Sequence, residues 1–416
     1  MKKIIFLIRR YLFLTFKIIL SIFFIPIIVL IRLISPFRVI RFGKIRSAEY
    51  GHFLGATYVY LFLKKKNFKY IDFFYFNGFI SNNHWAKILK KKIKIYKIIE
   101  LFYIANFFIP GHKKHIYNIE DKNHGNEKLF GDHLTHTLEK NKNTHFNLIL
   151  ENENKVEIET FFKKNNINKN SKFIIISSRD ENYKNTINFR GKMGMNFSYH
   201  NYMNCNIDDF IPTINYLNKL GFIVIRMGKF VKKKVNYKNK LFIDYAVSQS
   251  RSDFLDIWLA QNCHFAVCSP SGFSMPLFIF KKPIIFVNCI PFTTFFSLKG
   301  VDFFLPKKIK HKGTTKFVSL QNQIRKNYIL FKHADDYKKN NLEVVDNTKE
   351  EIKNCVIEYI DKKNKKFLNK KKIKLKKNFN SLVNISLKKN VKGNISTSFL
   401  ENNSKWFLKK EINELN

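Results

Sequence analysis

The sequence has few cysteines, and none of them belongs to a recognisable metal or redox motif. The five cysteines include no C-x-x-C pair, and no histidine cluster accompanies them at zinc-site spacing. Cys268 and Cys289 stand at the ends of apolar runs, where a free cysteine commonly packs as a small hydrophobic side chain. These features argue against a structural zinc site and a disulfide framework, and they indicate a reducing compartment.

Three common ligand-binding motifs are also absent. The chain lacks the phosphate loop G-x-x-x-x-G-K-[ST] and the dinucleotide fingerprint G-x-G-x-x-G, which argues against an ordinary kinase or dehydrogenase. No D-x-D motif follows a predicted strand. We therefore expect no essential metal and no bound cofactor.

Acidic residues are scarce relative to basic ones. The 416 residues include 31 acidic side chains against 75 lysines and arginines, for a formal net charge of +44. Such an excess is one feature of nucleic-acid-binding proteins. The lysines are spread over the whole chain, however, and accompany abundant Asn, Ile and Phe, which also have A/T-rich codons. Genome composition is therefore the favoured explanation of the lysine excess, and we predict no nucleic-acid partner. A positively charged surface would still attract an anionic membrane or a phosphorylated ligand.

The first 35 residues form an apolar segment that is interrupted by cations. Its uncharged run from Ile18 to Ile31 is about 14 residues long, short of the ~20 that a spanning helix needs. Extension back to Tyr11 reaches that length but buries Lys17 or makes it snorkel to the interface. No small-residue cleavage site follows. We predict an anchor on the cytoplasmic face of the inner membrane, interfacial or single-pass, with a buried core helix as the alternative.

The rest of the chain alternates between strand-like and helical patterns, which predicts an α/β fold. We place a first α/β domain at 36–165, a second at 166–335, and a helix with a basic tail at 336–416. Thr348 begins a capping box that opens a helix. The basic stretch at 361–392 is predicted to be solvated and disordered.

Five apolar runs in the second domain are each followed by polar residues, namely Arg179 with Asp180, Arg226, Asp244, Ser269 with Ser271, and Asn288. Because helical segments separate most of these runs, the strands are expected to be parallel and joined by right-handed crossovers. The carboxyl ends of parallel strands lie at one edge of a sheet, where open α/β folds bind ligands. The sequence therefore predicts a crevice that gathers these polar residues.

The residue types at this predicted edge suit a nucleoside diphosphate. Ser271 and Gly272 are expected to open a helix, whose free N–H groups and dipole favour a phosphate. Arg179 and Arg226 offer planar, bidentate donors for the diphosphate charge. Asp244 could accept a hydrogen bond from a ribose or sugar hydroxyl. Each residue alone has an ordinary structural explanation as a surface ion pair, a cap or a turn, but together they favour a phosphate-bearing ligand.

Several segments share a pattern with one known family: Gly221-Phe-Ile-Val-Ile-Arg-Met-Gly228, Ile243-Asp-Tyr-Ala246, Arg251-Ser-Asp-Phe-Leu-Asp256, Ser178-Arg-Asp180, Ser271-Gly272 and Gly51-His52. In these segments the chain resembles bacterial surface-polysaccharide glycosyltransferases of the GT-B type. The resemblance implies two Rossmann-like domains that face a cleft, with the nucleotide-sugar donor bound by the second. It also implies transfer of the sugar to a cell-envelope glycan or lipid-linked acceptor.

The chain departs from the family at one position. The family has Tyr-Arg-Asn before the first helix of the second domain, whereas this chain has Tyr202-Met203-Asn204. If the arginine normally contacts donor or acceptor, substrate choice differs here or another residue compensates.

The first domain is expected to hold the acceptor and the catalytic base. His52 follows the first predicted strand, and an imidazole there could deprotonate an acceptor hydroxyl near neutral pH. Glu49 is the competing candidate for the base. A histidine that makes only a structural hydrogen bond at a helix start is the alternative.

Two other functions stay open at this point. A non-catalytic, membrane-held protein that binds a nucleotide or glycan with the same fold is compatible with the Met203 departure and the basic tail. A nucleic-acid-binding protein is supported by net charge alone.

Overall fold

The computed structural model describes residues 2–63, 69–119, 152–168, 170–190, 198–291, 301–363, 370–387 and 394–407. The chain divides into two compact units, Met1–Thr137 and Leu138–Asn416. The described residues form a mixed α/β protein with two parallel sheets and one antiparallel pair of strands, which confirms the predicted class.

The first unit has a three-stranded parallel sheet in the order β1-β2-β3. Its elements are α1 (Lys2–Ile22), α2 (Ile25–Leu33), β1 (Val39–Arg46), α3 (Tyr50–Leu63), β2 (Tyr70–Asn77), α4 (Asn83–Lys92), β3 (Lys94–Ile95) and α5 (Ile99–Ala105). Asn82 caps α4 by accepting a hydrogen bond from the Trp85 backbone at 2.7 Å. The indole of Trp85 in turn donates to Thr57 Oγ1 of α3 at 2.9 Å, which ties two helices together inside the unit.

No single described helix is both long and apolar enough to cross a membrane. Residues Tyr11–Ile22 of α1 and Ile25–Leu33 of α2 reach such a length and composition together, with a bend of 51° between them.

The second unit is built on a six-stranded, wholly parallel sheet with the order β6-β5-β4-β7-β8-β9. Its strands are β4 (Phe173–Ser177), β5 (Ile223–Arg226), β6 (Phe242–Ile243), β7 (Ala266–Cys268), β8 (Ile284–Cys289) and β9 (Val301–Pro306), followed by the antiparallel pair β10 (Lys308–His311) and β11 (Leu342–Val345). The residues of β4, β5, β7 and β8 are all buried, as expected for a sheet covered on both faces.

The helices of the second unit are α6 (Asn152–Lys164), α7 (Asn182–Arg190), α8 (Ile211–Lys219), α9 (Asp253–Asn262), α10 (Ser274–Ile279), α11 (Leu320–Arg325), α12 (Ala334–Lys339), α13 (Lys349–Lys363), α14 (Lys370–Leu387), α15 (Thr397–Asn402) and α16 (Ser404–Phe407). The division between units comes earlier in the chain than the boundary predicted at 165/166. Helix α6 lies in the second unit, where the ring of Phe162 packs against Trp258 of α9 with 5.6 Å between centroids.

The basic stretch after α13 is more ordered than we predicted. Residues 370–387 form helix α14, so the prediction of disorder is wrong for this part. Leu375, Phe379 and Val383 recur at intervals of four residues and are buried in the core of the second unit. The many lysines between them conceal this stripe in the sequence.

Candidate functional site

The strand order of the second unit defines a particular place on the sheet. The chain runs outward from β4 through β5 to β6, and then returns to lay β7 on the other side of β4. The direction of winding therefore reverses between β4 and β7. In open parallel sheets, ligands bind outside the carboxyl ends of the strands at this reversal. We call the residues that follow β4 and β7 here, Arg179, Ser269, Ser271 and Gly272, the switch site.

Hydrogen bonds tie the two loops of the switch site together. The backbone N–H of Arg179 donates to Ser269 Oγ at 2.6 Å, and Ser269 is fully buried. The carbonyl of Arg179 accepts from the backbone N–H of Cys205 at 3.0 Å. Both backbone polar groups of Arg179 are thus hydrogen-bonded, which fixes the position of the Cα atom from which its side chain extends.

The guanidinium of Arg179 has no carboxylate partner among the described residues. Its Nε atom is buried and makes no hydrogen bond there. The carboxylate next to it, Asp180, is occupied by the backbone N–H groups of Asn182 and Lys232, each at 2.9 Å. Burial lowers the pKa of Arg179, partly opposed by Tyr202 nearby. A desolvated cation without a counter-ion is costly, so this geometry suits a bound anion.

Ser271 supplies a second unsatisfied polar group at the switch site. Its Oγ atom is buried and has no hydrogen-bond partner among the described residues. Its carbonyl accepts from the backbone N–H and the hydroxyl of Ser274, at 3.2 and 2.7 Å. The free hydroxyl can donate to a phosphate oxygen.

The expectation that Ser271 and Gly272 open a helix is wrong. Residues 271–273 form a turn, and α10 begins at Ser274 with only six residues. This start places Pro276 in the first turn, where its missing N–H group is not needed. The buried polar groups without a partner at the switch site are therefore the Arg179 Nε and the Ser271 hydroxyl, not the end of a helix.

Arg226 and Asp244 have a different role from the one predicted. Arg226 is the last residue of β5 and is 1% exposed. Its Nη1 atom lies 3.2 Å from Asp244 Oδ1 and donates to the Lys233 carbonyl at 2.8 Å. Asp244 also accepts from the Val235 backbone N–H at 2.9 Å. The pair is a buried ion pair that holds the loop after β5, and this burial argues against direct contact with a diphosphate.

The loop after β5 is hydrogen-bonded to the segment that follows Arg179. The side-chain amide of Asn182 donates to the Phe230 carbonyl at 2.9 Å, alongside the bond from Lys232 to Asp180. The loop carries six lysines, Lys229, Lys232, Lys233, Lys234, Lys238 and Lys240. Three of these lysines are paired with carboxylates, Lys229 with Asp253, Lys232 with Glu181 and Lys233 with Asp208, and these pairs hold the loop in place.

The sequence did not single out Lys307, which supports the neighbourhood of Arg179. Its ammonium is 2% exposed, donates to the carbonyls of Tyr202 and Asn204 at 3.0 and 2.6 Å, and lies 2.7 Å from an Asp346 carboxylate oxygen. Burial raises the pKa of Tyr202 to about 12, although Arg179 opposes the rise. No sequence motif marks Lys307, because its partners are backbone carbonyls 103 and 105 residues away.

Met203 lies in the same segment and explains the departure from the family pattern. Its half-buried side chain packs, with Tyr202, against an apolar cluster that includes Tyr328 and Tyr337. Methionine fills irregular apolar gaps well. At this position the chain therefore uses a packing residue, whereas the neighbouring Tyr202 is close enough to Arg179 to feel its charge.

His52 and Glu49 lie together at the carboxyl end of β1 in the first unit. His52 is in the first turn of α3, and its Nε2 atom is 3.7 Å from Glu49 Oε2. Glu49 is nearly buried and also accepts a short hydrogen bond from Arg46. Because Glu49 is already paired with Arg46, we expect it to orient His52 rather than to replace it as the base.

No family model and no curated sequence is detectably similar to the chain. Among solved structures it is similar to a family 9 glycosyl transferase from Veillonella parvula, with 11% identity and a TM-score of 0.35 over 61% of this chain and 81% of that one. It is also similar to the E. coli ADP-heptose LPS heptosyltransferase II, with 11% identity and a TM-score of 0.37 over 61% and 86% of the two chains. Similarity at this level establishes nothing about donor, acceptor or reaction.

The segment Arg251–Asp256, which carries part of the family resemblance, is structural in this protein. Ser252 caps α9 by accepting from the Leu255 backbone at 3.0 Å. Arg251 pairs with the buried Asp256 at 2.6 Å, and Lys229 pairs with Asp253 at 2.7 Å. These contacts anchor the start of α9 and the loop after β5.

Within the described residues, no group of three or more His, Cys, Asp or Glu is positioned to hold a metal ion.

Proposed function

We propose that this chain is a glycosyltransferase that binds the diphosphate of a nucleotide-sugar donor at the switch site. The observation that carries the proposal is the desolvated guanidinium of Arg179, without a carboxylate partner among the described residues and located where the winding of the sheet reverses. The unsatisfied hydroxyl of Ser271 belongs to the neighbouring strand end and adds a neutral donor.

The chemistry of sugar transfer suits these groups. As the bond between the anomeric carbon and the diphosphate breaks, negative charge grows on the departing phosphate oxygen. A fixed cation and a fixed hydroxyl donor stabilise that charge without having to reorganise. Protein donors of this kind make transfer independent of a metal ion. His52, oriented by Glu49, would remove the proton of the attacking acceptor hydroxyl.

We further propose that the acceptor is a cell-envelope glycan or a lipid-linked sugar. This class of acceptor follows from the family resemblance of the sequence, and the apolar N-terminal helices are consistent with work close to a lipid surface.

The Arg179→Ala variant tests the proposal directly. A thermal-shift screen of the wild type against UDP-, GDP-, ADP- and CMP-sugars first identifies the nucleotide. Loss of one charge-assisted contact of about 1.5–3 kcal/mol should then raise the dissociation constant of that nucleoside diphosphate by about one to two orders of magnitude. Isothermal titration calorimetry measures this change.

The matched control is Arg325→Ala, which removes an exposed arginine from α11 of the same unit. It should leave the affinity unchanged, because it alters only net charge. Equal affinities for Arg179→Ala and the wild type would refute the donor site. Tight nucleotide binding without transfer to any acceptor would instead favour the non-catalytic binding protein.

A further inference from the structure

Helices α1 and α2 are packed on the first unit over only part of their surface, because residues 11–16 of α1 are all exposed, whereas the end of α1 and one side of α2 are buried. Ser21 at the end of α1 and Ile28 in the middle of α2 are both 0% exposed. Ile28 belongs to an apolar cluster of the first unit that contains Phe42 of β1 and Ile99 of α5. Both helices are therefore part of the folded unit rather than a free segment ahead of it.

The described cations of these helices are turned toward the protein. Lys17 of α1 pairs with Glu100 of α5 at 2.6 Å. Arg32 of α2 donates a short hydrogen bond to the side chain of Asn106 just after α5, and burial lowers the pKa of Arg32. Lys17 is thus paired with a carboxylate of the unit. Arg32 faces the unit as well, where its Nε and Nη1 atoms are buried without a hydrogen-bond partner among the described residues, so neither cation interrupts the exposed apolar surface of residues 11–33.

The exposed surface of the two helices carries large apolar side chains. Its most exposed members are Tyr11 at 67%, Leu12 at 64%, Phe23 at 74%, Leu30 at 61% and Leu33 at 68%, and Phe37 just beyond α2 is 84% exposed. Contiguous exposed apolar surface of this kind marks an interaction site. Tyrosine and phenylalanine among leucine and isoleucine are typical of helices at the boundary between lipid headgroups and acyl chains.

Basic residues stand at the edge of this apolar side. Arg38 follows Phe37 and is exposed, as are Lys113 and Lys114. The ammonium of Lys114 is 3.4 Å from the hydroxyl of Ser35, which places it at the carboxyl end of α2. Exposed lysine and arginine at the edge of an apolar patch complement anionic lipid headgroups.

We propose that α1 and α2 lie in the plane of an anionic membrane and insert their apolar side into one leaflet. A spanning helix would be surrounded by lipid, whereas the end of α1 and one side of α2 are packed on the protein, where Lys17 contacts Glu100 and Arg32 contacts Asn106. The 51° bend fits two helices that follow the surface of a folded unit. Both ends of the pair then face the same side of the bilayer.

The first experiment measures co-sedimentation of the full chain with vesicles of phosphatidylglycerol and phosphatidylcholine. The double variant Leu30→Ser with Leu33→Ser should weaken binding by about tenfold or more, because two inserted apolar side chains are lost. Phosphatidylcholine vesicles alone should bind the wild type less tightly. Binding by the double variant as tight as that of the wild type would overturn the proposal.

The matched control is the double variant Leu220→Ser with Leu330→Ser, which alters two leucines of the second unit that are 48% and 49% exposed. It should bind vesicles as the wild type does. The nucleotide-induced shift in melting temperature should be the same in both double variants and the wild type. A failure of membrane binding is thereby distinguished from a failure of the donor site.

The second experiment separates insertion into one leaflet from a span. A nitrobenzoxadiazole label is attached to a cysteine introduced at Tyr11 or at Leu33, in a Cys205→Ser background because the four other native cysteines are buried. With protein added to preformed vesicles, external dithionite should quench the label at both positions. Protection at Tyr11 together with quenching at Leu33 would show a span and overturn the proposal.

Discussion

The Arg226→Ala substitution is expected to lower the free energy of unfolding by about 3–5 kcal/mol. The alanine leaves the carboxylate of Asp244 in a buried position without its cation, and it leaves the Lys233 carbonyl without a donor. Both losses fall on the loop after β5, whose Val235 N–H also depends on Asp244. Urea titration measures the change through tryptophan fluorescence, since Trp258 and Trp406 lie in the second unit.

A paired substitution provides the control for this prediction. Arg226→Met combined with Asp244→Asn removes both charges, and the asparagine oxygen can still accept from Val235 N–H. Most of the lost stability should return, because replacing both partners of a buried pair is often nearly neutral. A cost below about 1 kcal/mol for Arg226→Ala would be typical of an exposed pair. It would contradict the structural role and reopen the possibility that Arg226 binds the donor.

Arg179 and Arg226 illustrate how far the sequence could predict this site. Both arginines follow apolar runs, so their carboxyl-edge location was predictable from the alternation of strands and helices. The strand ends differ in one respect that periodicity does not reveal. Arg226 is still within β5 and is enclosed by the covered sheet, whereas Arg179 lies two residues past β4, in the loop. The ion-pair partner of Arg226, Asp244, is 18 residues away in the chain, beyond a loop without a regular sequence pattern.

The order of the strands in the sheet could likewise not be predicted from the sequence. Alternating apolar strands and helices predict a parallel sheet, but the same pattern is compatible with several strand orders. The reversal between β4 and β7 depends on which edge of β4 accepts β7, and it is this choice that brings Ser269 against Arg179. The turn at Ser271 is not evident from the local sequence, because Ser-Gly before an apolar run suggests a helix start, whereas the helix begins three residues later with Pro276 in its first turn.

For helix α14, the amino-acid composition of the segment concealed a helical pattern of apolar residues. The sequence between 370 and 387 is rich in lysine and asparagine, and its basic character favoured a prediction of disorder. Three apolar side chains at intervals of four residues are sufficient to fix such a helix to a core, while the lysines stay solvated on its other faces.

His52 carries the second prediction with a large expected effect. The imidazole is half-exposed at the carboxyl end of β1, and the carboxylate of Glu49, three residues earlier in the chain, is 3.7 Å from the ring. A base that is oriented by a carboxylate is a recurring arrangement for removing a proton from a hydroxyl nucleophile. Arg46 is paired with Glu49, so we expect the carboxylate to position the ring rather than to act as the base.

The His52→Ala substitution should therefore reduce kcat by about 10²–10⁴-fold while the dissociation constant of the donor nucleotide is unchanged. Affinity should be unaffected, because the residues proposed to bind the diphosphate all belong to the second unit. The control is His112→Ala, which removes a histidine of the same unit that packs on Phe107 and should leave kcat unchanged.

Glu49→Gln should lower kcat less than His52→Ala does, since the glutamine amide can still contact the imidazole although it carries no charge. Normal turnover by His52→Ala with a large loss in Glu49→Gln would assign the base to Glu49 instead. Both measurements use transfer from the nucleotide-sugar identified by the thermal-shift screen.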